Sequence, residues 1–229
     1  MNIHFLDQDI AFPDPSLAHE SGLLAVGGDL SVERLLLAYE NGIFPWYSEE
    51  DPILWFSPDP RLVLFPEELK ISKSLARKRR SGKFVTRLDT AFGEVIRRCA
   101  TTKRDNQAGT WITEEMIGAY EKLHELGRAH SVETYQGEQL VGGLYGVALG
   151  KTFFGESMFH EVSDASKIAL WSLVERLEAW GFDLIDCQMN TPHLASLGAK
   201  EMARSEFLKR IRESVAKEPA PDNWSLIQD

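Results

Sequence analysis

The chain is poor in cysteine and has no long apolar run. Its 229 residues include two cysteines, Cys99 and Cys187, and neither belongs to a CxxC pair. This usage favours a reducing, cytoplasmic setting with both thiols buried rather than a disulfide. No apolar run approaches the ~18 residues of a membrane helix, so no membrane span is expected. The first residues include Asp7 and Asp9 and lack the basic start and apolar core of a signal peptide.

Several motifs of cofactor and nucleophile chemistry are also missing. The sequence contains no Walker A loop, no GxGxxG and no GxSxG elbow. Its histidines are not paired at the short spacing that zinc requires. The segment 160–164 holds two acids and no glycine, which does not suit the pyrophosphate of coenzyme A at a helix start. We therefore expect no metal and no cofactor, while a Ser-His-Asp triad on another framework stays open.

The composition, with 43% hydrophobic and 26% charged residues, is that of an ordinary globular protein. The first sixty residues are rich in proline and glycine and contain one predicted helix, with Ser31 as its cap and Asn41-Gly42 at its end. A proline-interrupted segment at 58–61 then precedes an apolar strand at 62–65. We predict a small irregular N-terminal domain, residues 1–61, and a larger domain, residues 62–229.

Helices and strands alternate in the predicted larger domain. The pattern predicts helices over 66–80, 90–100, 114–126, 164–180 and 204–215, with Thr113 and Ser163 as caps of the third and fourth. It predicts strands over 130–135, 139–149, 152–156 and 182–188. Antiparallel hairpins followed by helix and strand indicate an α+β fold with a central mixed sheet.

Positive charge is concentrated in one part of an acidic chain. Residues 70–104 hold twelve Lys or Arg against two acids, whereas the whole chain has a formal net charge of −10. A cationic segment in an acidic protein favours a phosphate-bearing partner such as RNA, although a solvated helix face explains it equally well.

Polar side chains interrupt two apolar strands. Glu156 lies within FFGESMF at 153–159, and Asp186 and Gln188 lie two apart in LIDCQ at 184–188. Residues two apart on a strand share a face, so Asp186 and Gln188 are expected side by side. A buried carboxylate is costly unless it is bonded or functional. Taken singly, a structural role, with Asp186 bonding a loop and Glu156 in an ion pair, is the more frequent case.

Aromatic residues on loops are a further candidate. Trp46 and Tyr47 follow a proline turn, and Trp111 lies between Gly109-Thr110 and Ile112-Thr113. An indole on a turn is a stacking surface for a nucleic-acid base. It also serves as a plug between two domains, and the sequence favours neither role.

Nine strings together resemble the bacterial leucyl/phenylalanyl-tRNA–protein transferases, in order and over nearly the whole chain. They are GIFPW at 42–46, WFSPDPR at 55–61, GTWIT at 109–113, GRAHSVE at 127–133, LVGGLYG at 140–146, FFGESMF at 153–159, ASK at 165–167, LIDCQ at 184–188 and HLASLGA at 193–199. The resemblance implies a larger domain like that of the GCN5-related acyltransferases. It implies transfer of Leu, Phe or less often Met from aminoacyl-tRNA to the α-amine of proteins beginning with Lys or Arg, which marks them for N-degron proteolysis. It also implies a monomer with no membrane partner.

The resemblance also implies roles for single residues. It gives Asp186, Gln188 and Glu156 to catalysis, with Asp186 as a base or an orienting group. Glu156 would meet either the cation of the acceptor or the amino group of the donor. An apolar pocket would take the donor side chain, with Leu144 standing where some family members carry Met; its residues are Leu144, Phe153, Met158 and Ile185. Trp46 and Trp111 would stack on the terminal adenosine. Phosphate contacts would come from Lys73, Arg77, Lys78, Arg79, Arg80 and Lys83. Alternatives are a non-catalytic RNA-binding module and an acyltransferase with another donor.

Overall fold

The computed structural model describes residues 3–102, 112–219 and 224. The N-terminal part forms a four-stranded sheet in the order β1-β2-β4-β3, with one helix beside it. Its elements are β1 (His4–Leu6), β2 (Leu23–Gly27), α1 (Val32–Glu40), β3 (Phe44–Pro45) and β4 (Leu54–Phe56). As predicted, Ser31 caps α1, since its side chain accepts the N–H of Arg34.

The rest of the chain builds a seven-stranded sheet in the order β11-β5-β10-β9-β8-β7-β6. Strands β9 and β10 run parallel, whereas the other neighbouring pairs are antiparallel. The strands are β5 (Arg61–Leu64), β6 (Val85–Leu88), β7 (Ala129–Gln136), β8 (Gln139–Leu149), β9 (Thr152–His160), β10 (Leu184–Gln188) and β11 (Lys200–Met202). The α+β class with a central mixed sheet is confirmed.

Six helices accompany this sheet in the described part of the chain. They are α2 (Lys73–Arg80), α3 (Phe92–Thr101), α4 (Glu114–Glu125), α5 (Ala165–Ala179), α6 (Pro192–Ser196) and α7 (Arg204–Val215). The bounds predicted for α7 are confirmed, and α4 begins at the predicted residue with Thr113 as its cap.

One predicted helix start and one predicted helix cap are wrong. The helix predicted from Pro66 begins at Lys73, because a short 3-10 helix at Pro66–Glu68 is followed by extended chain that Ser72 ends by capping α2. Helix α5 is entered through Asp164, not capped by Ser163. Asp164 has a φ of 71° and its side chain binds Lys78 and Lys167 instead of the helix N–H groups.

Apolar residues pack on both faces of the large sheet. One cluster includes Leu144, Phe153 and Ile185 and lies under α5, while the other includes Tyr145 and Phe154 and faces α3, α4 and α1. Neighbouring residues of a strand point to opposite faces, which explains this alternation. The second cluster also contains Leu24 and Trp55 of the small sheet. One apolar core therefore includes residues from both sides of the predicted boundary, and the division into two domains at residue 61 stays a prediction.

Candidate active site

A cavity of about 430 Å³ opens where β9 and β10 separate. These strands are paired only from Leu184 opposite Thr152 to Asp186 opposite Phe154. Beyond that point β9 stays paired with β8 as far as His160, and β10 turns toward β5. The second half of β9 therefore has an open side, and the cavity lies against it.

All four residues predicted to form an apolar pocket, Leu144, Phe153, Met158 and Ile185, line this cavity. They come from three adjacent strands. Helices, the N-terminal part and the segment after β10 supply the remaining walls, including Phe44, Trp46, Leu170, Leu173, Leu194 and Met189. Most of the wall is hydrocarbon, so an apolar side chain that enters exchanges water for close packing.

One edge of the cavity is polar and is formed by Glu156 and Gln188. Gln188 Nε2 donates to Glu156 Oε1 at 2.9 Å, and the hydroxyl of Tyr39 donates to the same oxygen at 2.8 Å. The Tyr120 hydroxyl lies 3.1 Å from Glu156 Oε2 and is also hydrogen-bonded to the Tyr39 hydroxyl. The described residues place no cation beside Glu156, so the ion pair considered from the sequence does not form.

Burial raises the pKa of Glu156 to about 7, although its hydrogen bonds to Tyr39 and Tyr120 act in the opposite direction. The number of hydroxyl protons also supports a raised pKa. Tyr39 and Tyr120 have two hydroxyl protons for three contacts, namely one to each Glu156 oxygen and one between the hydroxyls. A proton on the carboxyl group completes the set, so the network favours neutral Glu156. Burial also raises the pKa of both tyrosines well above 10.

Asp186 does not line the cavity, although the sequence placed it beside Gln188. Its carboxylate is fully buried and forms two hydrogen bonds with the Arg61 guanidinium, at 2.8 and 2.7 Å. A register shift between Asp186 and Gln188 gives Gln188 a φ of 62°. The regular alternation ends at this bulge, so the two side chains do not continue along one face. A catalytic role of Asp186 stays a prediction, and its contacts favour orientation over direct proton transfer.

Trp46 lies at the cavity, half-buried, with its ring 5.5 Å from that of Phe56. Tyr47, expected on the surface, is buried instead, and its hydroxyl lies 3.5 Å from Thr113 Oγ1. Trp111 falls outside the described residues. A stacking role for the two indoles stays a prediction.

The basic residues of α2 and the following turn divide into two sets. Lys78 pairs with Asp164 at 2.7 Å, and Arg79 binds Glu175 through two hydrogen bonds while its guanidinium lies 4.3 Å from the centre of the Trp171 ring. The others are exposed and form no ion pair within the described ranges: Lys73, Arg77, Arg80 and Lys83. A cleft of about 490 Å³ lies beside Arg77, Lys78 and Lys83.

This cleft and the cavity are joined by α5. Asp164, at the start of the helix, lines the cleft, and Leu170 lines the cavity. Six residues of helix correspond to about 9 Å. A ligand with both a phosphate backbone and an apolar group can therefore reach both places.

Sequence reasoning missed Tyr39, Tyr120 and Arg61. Tyr39 and Tyr120 follow apolar helix patterns and read as core residues, and only the fold brings them to Glu156. Arg61 ends a motif that the sequence analysis quoted, and the pairing of β5 with β10 brings it to Asp186. A single basic residue at the start of an apolar strand was the available signal.

The described residues contain neither a membrane-spanning helix nor a metal-binding group. No helix within 3–102, 112–219 or 224 is both long and apolar enough to cross a membrane. The same residues contain no group of three or more His, Cys, Asp or Glu arranged to hold a metal ion.

Among solved structures, an aminoglycoside acetyltransferase from an uncultured soil metagenomic sample is similar over 60% of this chain and 91% of that chain. The identity is 15% and the TM-score 0.38.

Comparison with known sequences gives a much closer match. Residues 28–59 match the model of the leucyl/phenylalanyl-tRNA protein transferase N-terminal domain, and residues 63–212 match that of the leucyl/phenylalanyl-tRNA protein transferase. The leucyl/phenylalanyl-tRNA–protein transferase of Anaeromyxobacter sp. (strain Fw109-5) is 56% identical over 99% of this chain and 96% of its own length. That of Nitrosospira multiformis is 57% identical over 97% and 96%. The chain belongs to the leucyl/phenylalanyl-tRNA–protein transferase family.

Proposed function

We propose that this protein transfers Leu, Phe and less often Met from aminoacyl-tRNA to the α-amine of proteins that begin with Lys or Arg. The modified proteins then enter N-degron proteolysis. The observation that carries the proposal is an apolar cavity with a carboxyl and an amide at one edge, in a chain more than half identical to named transferases.

The donor side chain enters the cavity. Leu, Phe and Met are apolar and unbranched at Cβ, and walls of leucine, phenylalanine and methionine suit all three. The flexible thioether of Met158 adapts to more than one shape. Burial of each side chain contributes about 1.5–3 kcal/mol to binding.

The tRNA lies along the α2 side of the protein. The exposed cations of this region, among them Arg77 and Lys83, contact phosphates, and such contacts position the RNA without reading its bases. Trp46 and Trp111 stack on the terminal adenosine. This places the ester between the basic cleft and the apolar cavity.

The reaction is attack of a neutral α-amine on an activated ester. The amine nitrogen forms a bond to the carbonyl carbon, the bond from that carbon to the ribose oxygen breaks, and the amine proton passes to that oxygen, which leaves as a ribose hydroxyl. Gln188 orients the reacting groups at the polar edge. Glu156, with a pKa of about 7, contacts the cation of the acceptor or the amino group of the donor. Holding the amine and the ester together in a reactive geometry supplies most of the rate acceleration.

Labelled transfer tests the proposal. The purified protein is incubated with Leu-, Phe- or Met-tRNA and with peptides that differ only in the first residue, which is Arg, Lys or Asp, or an acetylated Arg. We expect label on the Arg and Lys peptides, most with Leu and Phe, and none on the acetylated peptide. Binding of tRNA without transfer would indicate an RNA-binding module, and transfer from acetyl-coenzyme A would indicate another donor. Sedimentation of the same sample tests the monomeric state.

A further inference from the structure

Arg61 and Asp186 form an ion pair that is closed off from solvent. The two side chains are 1% and 0% exposed. Arg61 Nε donates to Asp186 Oδ1 at 2.8 Å and Arg61 Nη2 donates to Oδ2 at 2.7 Å. Arg61 Nη1 is buried and has no hydrogen-bond partner among the described residues, so the polar contacts of this side chain are all made with Asp186.

Two aromatic rings fix the position of the guanidinium. Its central carbon lies 4.8 Å from the ring centre of Phe44 and 4.7 Å from that of Phe207. Phe44 belongs to β3 of the small sheet and lines the cavity, and Phe207 belongs to α7. Arg61 is therefore held by contacts from three parts of the fold, and the planar guanidinium suits both the stacking and the two-point contact.

Asp186 connects the Arg61 guanidinium to Gln188 at the edge of the cavity. Its Oδ1 accepts the backbone N–H of Gln188 at 2.9 Å, in addition to Arg61 Nε. Gln188 has a φ of 62°, a left-handed conformation that costs a residue other than glycine free energy. The hydrogen bond that the Gln188 N–H donates to Asp186 offsets part of this cost. In this conformation the Gln188 amide reaches Glu156.

We propose that Arg61 is a positioning residue for aminoacyl transfer, acting through Asp186 on the backbone of Gln188. The inference rests on the proposed function, because it concerns the geometry of the polar edge during that reaction. Without Arg61, the buried Asp186 carboxylate has no cationic partner and turns away from its present position. The side-chain amide of Gln188 is then no longer held toward Glu156, while the apolar cavity and the basic cleft are unchanged.

The competing explanation is that the pair only stabilises the fold. Breaking a buried pair by removing one partner is strongly destabilising, so Arg61→Met alone does not separate the two explanations. The double variant Arg61→Met, Asp186→Leu replaces both partners with apolar groups, and such replacements are often neutral or stabilising. It still removes the acceptor of the Gln188 N–H.

The experiment measures kcat, KM for Leu-tRNA and the melting temperature of the wild type, Arg61→Met and the double variant. The matched control is Arg34→Met, since Arg34 is also fully buried and pairs with Asp29, but it does not line the cavity. For the double variant we expect a melting temperature near that of the wild type, a kcat lowered by roughly 10- to 100-fold and a KM changed by less than about threefold. For Arg34→Met we expect a lower melting temperature and an unchanged kcat per folded molecule.

A kcat of the double variant that matches the wild type would overturn the proposal. If the double variant does not fold, Asp186→Asn is measured instead, because it keeps an oxygen for the Gln188 N–H while it removes the charge. The proposal then requires Asp186→Asn to retain more kcat than Asp186→Leu at equal folded fraction, and equal values contradict it. Absence of transfer by the wild type itself contradicts the proposed function, which is a separate outcome.

Discussion

Gln188 Nε2 and Glu156 Oε1 are 2.9 Å apart, although the two residues lie 32 positions apart in the sequence. The contact joins β10 to β9 just beyond the point where these strands cease to pair. Because β9 and β10 no longer pair there, the side chains of Glu156 and Gln188 face the cavity. The polar edge thus exists because the sheet opens there, and its properties can be tested one by one.

The first prediction concerns the titration of Glu156. Its pKa rises from 4.5 in the unfolded chain to about 7 in the fold. Below pH 4.5 the carboxyl is neutral in both states, and as the pH rises toward 7 only the unfolded chain ionises. The wild type therefore loses stability relative to Glu156→Gln over this range, by on the order of 3 kcal/mol, and the difference is constant above pH 8. Urea unfolding at pH 5, 6, 7 and 8 measures it.

The control for this titration is Glu138→Gln, a change at an exposed turn position. A flat profile for Glu156→Gln would show that Glu156 titrates normally.

The second prediction concerns the tyrosine hydroxyls. Hydrogen bonds from Tyr39 and Tyr120 lower the pKa of Glu156, so Tyr39→Phe should move the midpoint of its titration above 7. The lost hydrogen bond also lowers the free energy of unfolding by about 1 kcal/mol. The midpoint is obtained from the pH dependence of the difference in free energy of unfolding between Tyr39→Phe and the double variant Tyr39→Phe, Glu156→Gln. Tyr135→Phe, on a tyrosine away from the cavity, should leave the midpoint unchanged.

The third prediction concerns donor selectivity. Leu144 lines the cavity and is 3% exposed, so Leu144→Phe reduces the space for the donor. We expect kcat/KM for Phe-tRNA to fall at least about 10-fold further than that for Leu-tRNA, since a methylene-sized change in a pocket corresponds to 10–200-fold. Leu64→Phe overpacks the same apolar cluster away from the cavity and should keep the ratio of the two donors. An unchanged ratio in Leu144→Phe would place the donor side chain elsewhere.

The fourth prediction concerns the basic cleft. Arg77→Ala and Lys83→Ala each remove an exposed cation, and each should reduce the slope of log Kd against log salt concentration by about 1 if the residue contacts a phosphate. Arg79 is bound to Glu175, so Arg79→Ala is the matched control and should change the slope less. Filter binding of tRNA over a range of salt measures all three. Equal slopes for the three variants and the wild type would exclude this surface from the RNA interface.

Charge in the sequence differs from charge on the surface. Several of the twelve basic residues between 70 and 104 meet acids from distant segments: Arg97 pairs with Glu121, Arg98 with Glu161 and Arg79 with Glu175. Ion pairs of this kind follow from the docking of α2 and α3 on other elements, which local composition does not report. The exposed cations beside the cleft, Arg77 and Lys83, form no ion pair within the described ranges and can meet a ligand.

By itself, the sequence determined the fold class and the positions of α1, α4 and α7, and its resemblance to a known family gave the four apolar residues of the cavity. Periodicity and caps act over a few residues, so they can be read without the fold. Only the tertiary structure decided that Asp186 pairs with Arg61 and does not line the cavity, because a bulge of one residue changes the direction of the chain at Gln188. It also decided that Tyr39 and Tyr120 meet Glu156, since packing between α1, α4 and β9 joins groups that are far apart in sequence.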